Sequence, residues 1–242
     1  MESSAVGQGV SFPLRFIRSF LTCFWFKAIG TTAFTTVFFV AYIHLLKNPS
    51  GPVTEVPLTW FDAAIGFQPA ALIPYLSLWL YVSLPPTFLL TRTELVKYGL
   101  HIGLMCITGL LIFWLWPTAV PPANIDWARY PGMAFLKGID AAGNACPSLH
   151  VATALFSAIW LEHLLRRFAA PRGLRWFSAL WCLAIIWSTV ATRQHVVLDA
   201  VAGTALALLF AGLSFRFVRV LPRSSAKTEI LEKKRAIAST RC

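Results

Sequence analysis

Two stretches decide how this chain is read: NACPSLHVATAL at residues 144–155 and STVATRQHVVLDAVAG at residues 188–203. Each leads into an apolar run of membrane-helix length, yet each carries ionisable groups at its mouth. The first has His150; the second has His195 and Asp199. Ionisable side chains at membrane depth are costly, and where they persist they face a cavity and mark a functional site.

The rest of the sequence makes the bilayer the expected solvent. Of 242 residues, 57% are hydrophobic and only 13% charged, too few to cover a soluble domain of this size. A membrane span needs roughly 17–25 mostly apolar residues. Six runs meet that length, at 29–46, 69–90, 98–116, 149–165, 176–192 and 195–215. The expected fold is therefore all-α, a polytopic membrane bundle of six transmembrane helices. The stretch RFIRSFLTCFWFK (15–27) mixes cations with aromatics and is expected to lie flat at the interface. No cleaved leader is expected, because no short apolar run ends in small residues. Three regions follow: an interfacial segment 1–28, a six-span catalytic domain 29–217, and a basic cytoplasmic tail 218–242.

Charge sets the expected orientation. With six spans both termini share a side, and all but four of the 21 lysines and arginines fall on it. The exceptions are Lys47, Arg129, Lys137 and Arg193. Cytoplasmic loops are the basic ones, so the chain is expected N-in and C-in, an integral protein of the cell (inner) membrane. His150, His195 and Asp199 then face the periplasm or its extracytoplasmic equivalent. The net charge of +11 is accounted for by this sorting, and nucleic acid is not an expected partner.

His195 and Asp199 are four residues apart and share one face of a helix. A carboxylate bonded to one ring nitrogen fixes the tautomer and leaves the other nitrogen free to attack or to accept a proton. Pro147 and Ser148 open the helix that carries His150. Proline suits a first helical position, and free amides there attract anions. These parts describe a nucleophile with its orienter, a second histidine as acid or base, and a phosphate cradle to which Ser148 adds a hydroxyl. No CxxC or HExxH spacing is present, and neither a metal nor another cofactor is expected.

PSLH (147–150) and RQHVVLD (193–199) resemble the second and third signature motifs of the type-2 phosphatidic-acid phosphatase and vanadium haloperoxidase superfamily, in its membrane branch. PSLH in this form, Asp140 and Asn144 before it, and FDAAIGFQP (61–69) look more like the inositolphosphotransferase and sphingolipid-synthase-like subgroup. The resemblance spans roughly residues 55 to 215. It implies that His195 attacks phosphorus to form a phosphohistidine, that Asp199 holds its ring, and that His150 protonates the leaving alkoxide and then activates the acceptor. The family's first motif, a lysine, six intervening residues, then Arg-Pro, is absent, and its Ser-Arg pair appears here as Ser188-Thr189. Arg193, followed by Arg129 and Lys137 on the long outer loop, are the candidate replacements on the phosphate.

The function expected is hydrolysis of a lipid phosphate ester held within the membrane. One alternative passes a phosphorylated headgroup, such as inositol phosphate, to a lipid alcohol; a second is a non-catalytic membrane protein that keeps the fold. Structural roles are expected for His44, His101 and His163. Asp62 and Asp140 are read either as pocket-shaping groups or as plain caps and turns. Pro85-Pro86 are expected to kink a span and nothing more.

Overall fold

The computed structural model describes residues 19–139 and 144–219. Asp140, most of the interfacial segment and nearly all of the basic tail lie outside the described residues. Among the described residues, five helices are long and apolar enough to cross a membrane: Phe24–Lys47, Pro69–Phe88, Arg92–Leu115, Arg172–Ala191 and Val197–Arg216.

The architecture is helical throughout. α1 (Phe24–Lys47) is followed by a short helix α2 (Trp60–Ile65) and by α3 (Leu72–Phe88), which a 3₁₀ turn at Pro69–Ala71 introduces. α4 (Arg92–Leu115), a loop helix α5 (Pro131–Ile139), α6 (Leu149–Arg167), α7 (Arg172–Ala191) and α8 (Val197–Arg219) complete it. Two small strands, β1 (Thr54–Glu55) and β2 (Thr118–Ala119), pair in parallel and tie the first outer loop to the second. The sequence gives them no alternating signal, since each is only two residues long.

Helix starts follow their capping chemistry. Thr91 accepts from the Glu94 backbone N–H at the head of α4, and α5 begins on Pro131, where a missing N–H costs nothing. In α3, Pro85 and Pro86 fall in the last turn, so the helix simply ends at Phe88.

One helix departs from the expected six. α6 has the length of a span but carries His150, Glu162, His163, Arg166 and Arg167, and it does not join the five apolar ones. Its position supplies the reason. α6 packs against α8, α7, α3 and α4, and Val151, Ala152, Ala154, Phe156, Trp160 and Leu164 on it are buried. Protein rather than lipid surrounds it, so lipid does not select for its apolarity. The outer helices show the converse: Val37, Ile73, Leu80, Ile107, Leu111, Leu180 and Leu183 are exposed apolar groups, as expected of faces turned to hydrocarbon.

At the far end of α6 from His150, ion pairs gather. Arg175 and Arg166 both bond Glu162, and Arg167 bonds Glu94. These link the ends of α6, α7 and α4 and pin the central helix in depth.

Candidate active site

One backbone hydrogen bond joins the start of α6 to the start of α8, and three side-chain caps fix the two helix starts. Ser148 is the N-cap of α6, and its Oγ accepts from the Val151 N–H at 3.3 Å. Its own backbone N–H donates to the Asp199 carbonyl at 3.0 Å. Asp199 Oδ2 accepts from the Val196 N–H at 3.0 Å, capping α8 from within. Asp62 Oδ1 accepts from the Val197 N–H at 2.8 Å, capping α8 from outside. Asp62 also closes a capping box with Thr59 at the head of α2. It is thus a cap twice over, fully buried, and not a pocket group.

This stitching brings together two histidines 45 residues apart in the chain, with His195 Nε2 at 3.2 Å from His150 Nδ1. His195 Nδ1 lies 3.4 Å from Asp199 Oδ2, in ion-pair range but short of a hydrogen bond. Such contacts are commonly long without substrate and tighten when the site is occupied. On the other side, Tyr75 Oη lies 2.9 Å from His150 Nε2, and the two rings stack at 5.1 Å. Trp79 meets the same imidazole edge-on at 6.0 Å.

One proton order satisfies the whole line. Tyr75 O–H donates to His150 Nε2, His150 Nδ1–H donates to His195 Nε2, and His195 Nδ1–H points at Asp199. The nitrogen left with a lone pair on His195 is then Nε2, which faces the proton on His150. A lone pair on one histidine and a proton on the other thus meet across 3.2 Å. His195 is 4% exposed and Asp199 fully buried, so water does not screen the pair.

Cys146 also lies beside Asp199. Burial first, and the Asp199 carboxylate second, push its thiol up to about 11. It stays neutral near pH 7 and does not compete with the imidazole.

The remaining expected residues are placed differently from one another. Arg193 is half-buried and has φ 57°, ending α7 in the left-handed region. Glycine adopts that conformation at lower cost. Arg129 pairs with Asp126 at 3.0 Å, and its side chain is 78% exposed. A carboxylate three residues away engages it locally. Lys137 is carried on α5. Asp140 cannot be placed, lying outside the described residues. His44 and His101 take local roles: the His44 carbonyl accepts from Asn48, and His101 Nδ1 bonds the Lys97 carbonyl at 2.8 Å. His163 sits against Trp160 and Phe215.

Two site residues escape a reading of the sequence. Tyr75 stands inside an apolar run, where a tyrosine reads as an interfacial anchor. Gln194 is 5% exposed, lines a cavity together with His150, and its Nε2 has no hydrogen-bond partner. The only signal for it is its place beside His195. Tyr75→Phe is expected to lower kcat by about three- to tenfold, the worth of one neutral hydrogen bond. A matching shift in the pH profile of kcat, with KM unchanged, would assign the loss to His150 and not to substrate binding.

A family model, that of the PAP2 superfamily, matches residues 41–213. No curated protein and no solved structure matches the chain. The match covers well over half of the chain and spans every residue of the histidine line, so the chain belongs to the PAP2 superfamily.

Proposed function

We propose that this membrane-embedded member of the PAP2 superfamily cleaves a phosphate ester of a lipid through a phosphohistidine intermediate. The observation that carries the reading is the line Asp199–His195–His150–Tyr75, with one lone pair and one proton meeting between the histidines.

In the first step His195 Nε2 attacks phosphorus and the bond from phosphorus to the lipid oxygen breaks. With substrate bound, His150 enters the step protonated on both nitrogens, its Nε2–H donating to Tyr75 Oη; the departing alkoxide takes the Nδ1 proton and leaves His150 neutral. His195 becomes cationic, and the Asp199 carboxylate stabilises it. In the second step neutral His150 accepts a proton from water as its oxygen attacks phosphorus, the N–P bond breaks, and His195 is restored. Splitting one displacement into two lowers each barrier, and His150 as acid and base contributes about 10²–10⁴-fold. The equatorial oxygens need donors in the transition state. Arg193 is assigned that duty first, with Ser148, Arg129 and Lys137 next. No step of this scheme draws on a metal.

The proposal includes six crossings with α6 as the enclosed one, N-in and C-in, and a site on the extracytoplasmic face of the inner membrane. Sorted charge supports it, as do the ion pairs gathered at the end of α6 opposite the histidines.

A second reading has its own observation. The cavity that reaches His150 is lined mainly by apolar side chains, so a lipid alcohol gains access to a phosphohistidine that water reaches poorly. With that acceptor the same residues make a headgroup transferase of the inositol-phosphate type. The deciding experiment incubates the purified protein, in EDTA, with a panel of lipid phosphates, with and without a lipid alcohol. Release of inorganic phosphate without alcohol supports hydrolysis. Product formed only with alcohol assigns the transferase, and no product under either condition overturns both.

A further inference from the structure

α1 is hydrogen-bonded to its neighbours at its two ends and meets them between through aromatic contacts, such as Phe39 with Trp79 at 5.1 Å between ring centroids. Of its 24 residues only Lys27 and Leu46 are buried. At the inner end, Lys27 Nζ donates to the Ser19 and Thr87 carbonyls, both at 2.7 Å, clamping α1 to the end of α3. At the outer end, Asn144 Nδ2 donates to the Tyr42 carbonyl at 3.0 Å. The space enclosed by α1, α3, α4 and the first turns of α6 is a cavity of about 850 Å³.

Its shape suits one kind of ligand. Lining residues run along α1 from Lys27 to Leu46, roughly 28 Å at 1.5 Å per residue. A bilayer's hydrocarbon core is about 30 Å thick. The upper end holds Tyr75, His150 and Gln194, the polar groups of the reaction centre. Phe26 and Lys27 line the lower end. Between them the walls are chiefly aliphatic and aromatic, and Gly30 and Gly99 lie on them with no atom within 4 Å of an added Cβ. Protein interiors are not left empty on this scale, and an apolar space beside lipid fills with hydrocarbon.

We propose that this cavity is a chain-binding site: a long hydrocarbon chain of the reacting lipid enters between α1 and its neighbours, and the lower end at Phe26 and Lys27 limits its length. The proposal rests on the lipid-phosphate reading of His195 and deepens it. The substrate is a lipid drawn out of the bilayer into the protein, and the chain, not only the phosphate, sets specificity.

Gly99→Trp puts an indole into the open space at the lower part of the cavity. The ratio of kcat/KM for a long-chain lipid phosphate to that for a short-chain one is expected to fall by about tenfold or more, as it does when a pocket rejects part of an apolar group. An unchanged ratio, with the variant folded and active, overturns the proposal. A second measurement works without turnover. A non-hydrolysable lipid phosphonate with a photoreactive group at the chain terminus should crosslink the lower part of α1, around Phe26–Phe34. Crosslinks confined to the outer face of α7, at Trp176, Phe177 and Leu183, identify a bulk-lipid contact and overturn the chain site. Crosslinking to α1 in a protein that turns over no lipid phosphate leaves the chain site standing and removes the phosphatase reading instead.

Discussion

His195→Ala is expected to reduce product formation to below about 10⁻⁴ of wild type, the scale of loss when a covalent nucleophile is removed. The structure makes the residue hard to replace. His195 Nε2 is the lone pair that faces the His150 proton, and the thiol of Cys146, beside Asp199, is held neutral by burial and by that carboxylate. The companion variant His150→Ala separates the roles. It removes the acid but leaves the nucleophile, so a substrate with a good leaving group, needing no proton, should still transfer its phosphoryl group to His195. Acid-labile, base-stable radiolabel on the protein, present in His150→Ala and absent in His195→Ala, is the measurement. Label in neither, or equal label in both, would assign the chemistry elsewhere. A non-catalytic membrane protein would show no product in any variant, wild type included.

The meeting of His150, His195 and Asp199 was legible in the sequence because PSLH and HxxxD each carry their own local geometry. An N-cap serine positions His150, and i, i+4 spacing positions Asp199 beside His195, whatever else the fold does. The helical spans were legible because their outward faces meet lipid and must be apolar. Features set by contacts between distant turns were not legible. Tyr75 bonds His150 across 75 residues, and no local pattern separates it from an ordinary interfacial tyrosine. Asp62 caps α8 from 135 residues away, where the local sequence shows only a cap for α2. α6 read as one more span because its apolar content was counted and its neighbours could not be. The structure places protein on most of its sides, where Glu162 and the paired arginines find partners on α7 and α4. Arg129 shows another limit: the sequence offers it as an outer cation, and only the structure shows that Asp126, three residues earlier, pairs with it at 3.0 Å.

Gly203→Ala is expected to be the most damaging change that touches no reacting group. Gly203 lies one turn below Asp199 on α8, on the buried stripe Ala200, Gly203, Ala207 and Ala211. Small residues of this kind let membrane helices approach backbone to backbone. A Cβ at Gly203 would fall 2.3 Å from the Ser148 carbonyl oxygen and 3.3 Å from the Val151 Cβ. Neither neighbour is the far end of a flexible chain, so α6 and α8 must part. The first hydrogen bond to stretch is that from the Ser148 N–H to the Asp199 carbonyl, and His150 moves with Ser148. Overpacking of this sort costs about 1–3 kcal/mol, and a displacement of roughly 1 Å at the reacting groups costs about 10²-fold in rate. The control lies on the same helix. Gly212 has no atom within 4 Å of an added Cβ, so Gly212→Ala should keep full activity and gain up to about 1 kcal/mol from helix propensity. Thermal unfolding in detergent and turnover, measured on both variants, give opposite expectations from the same substitution. Equal behaviour of the two would mean that the contact of α6 with α8 is not what holds His150 against His195.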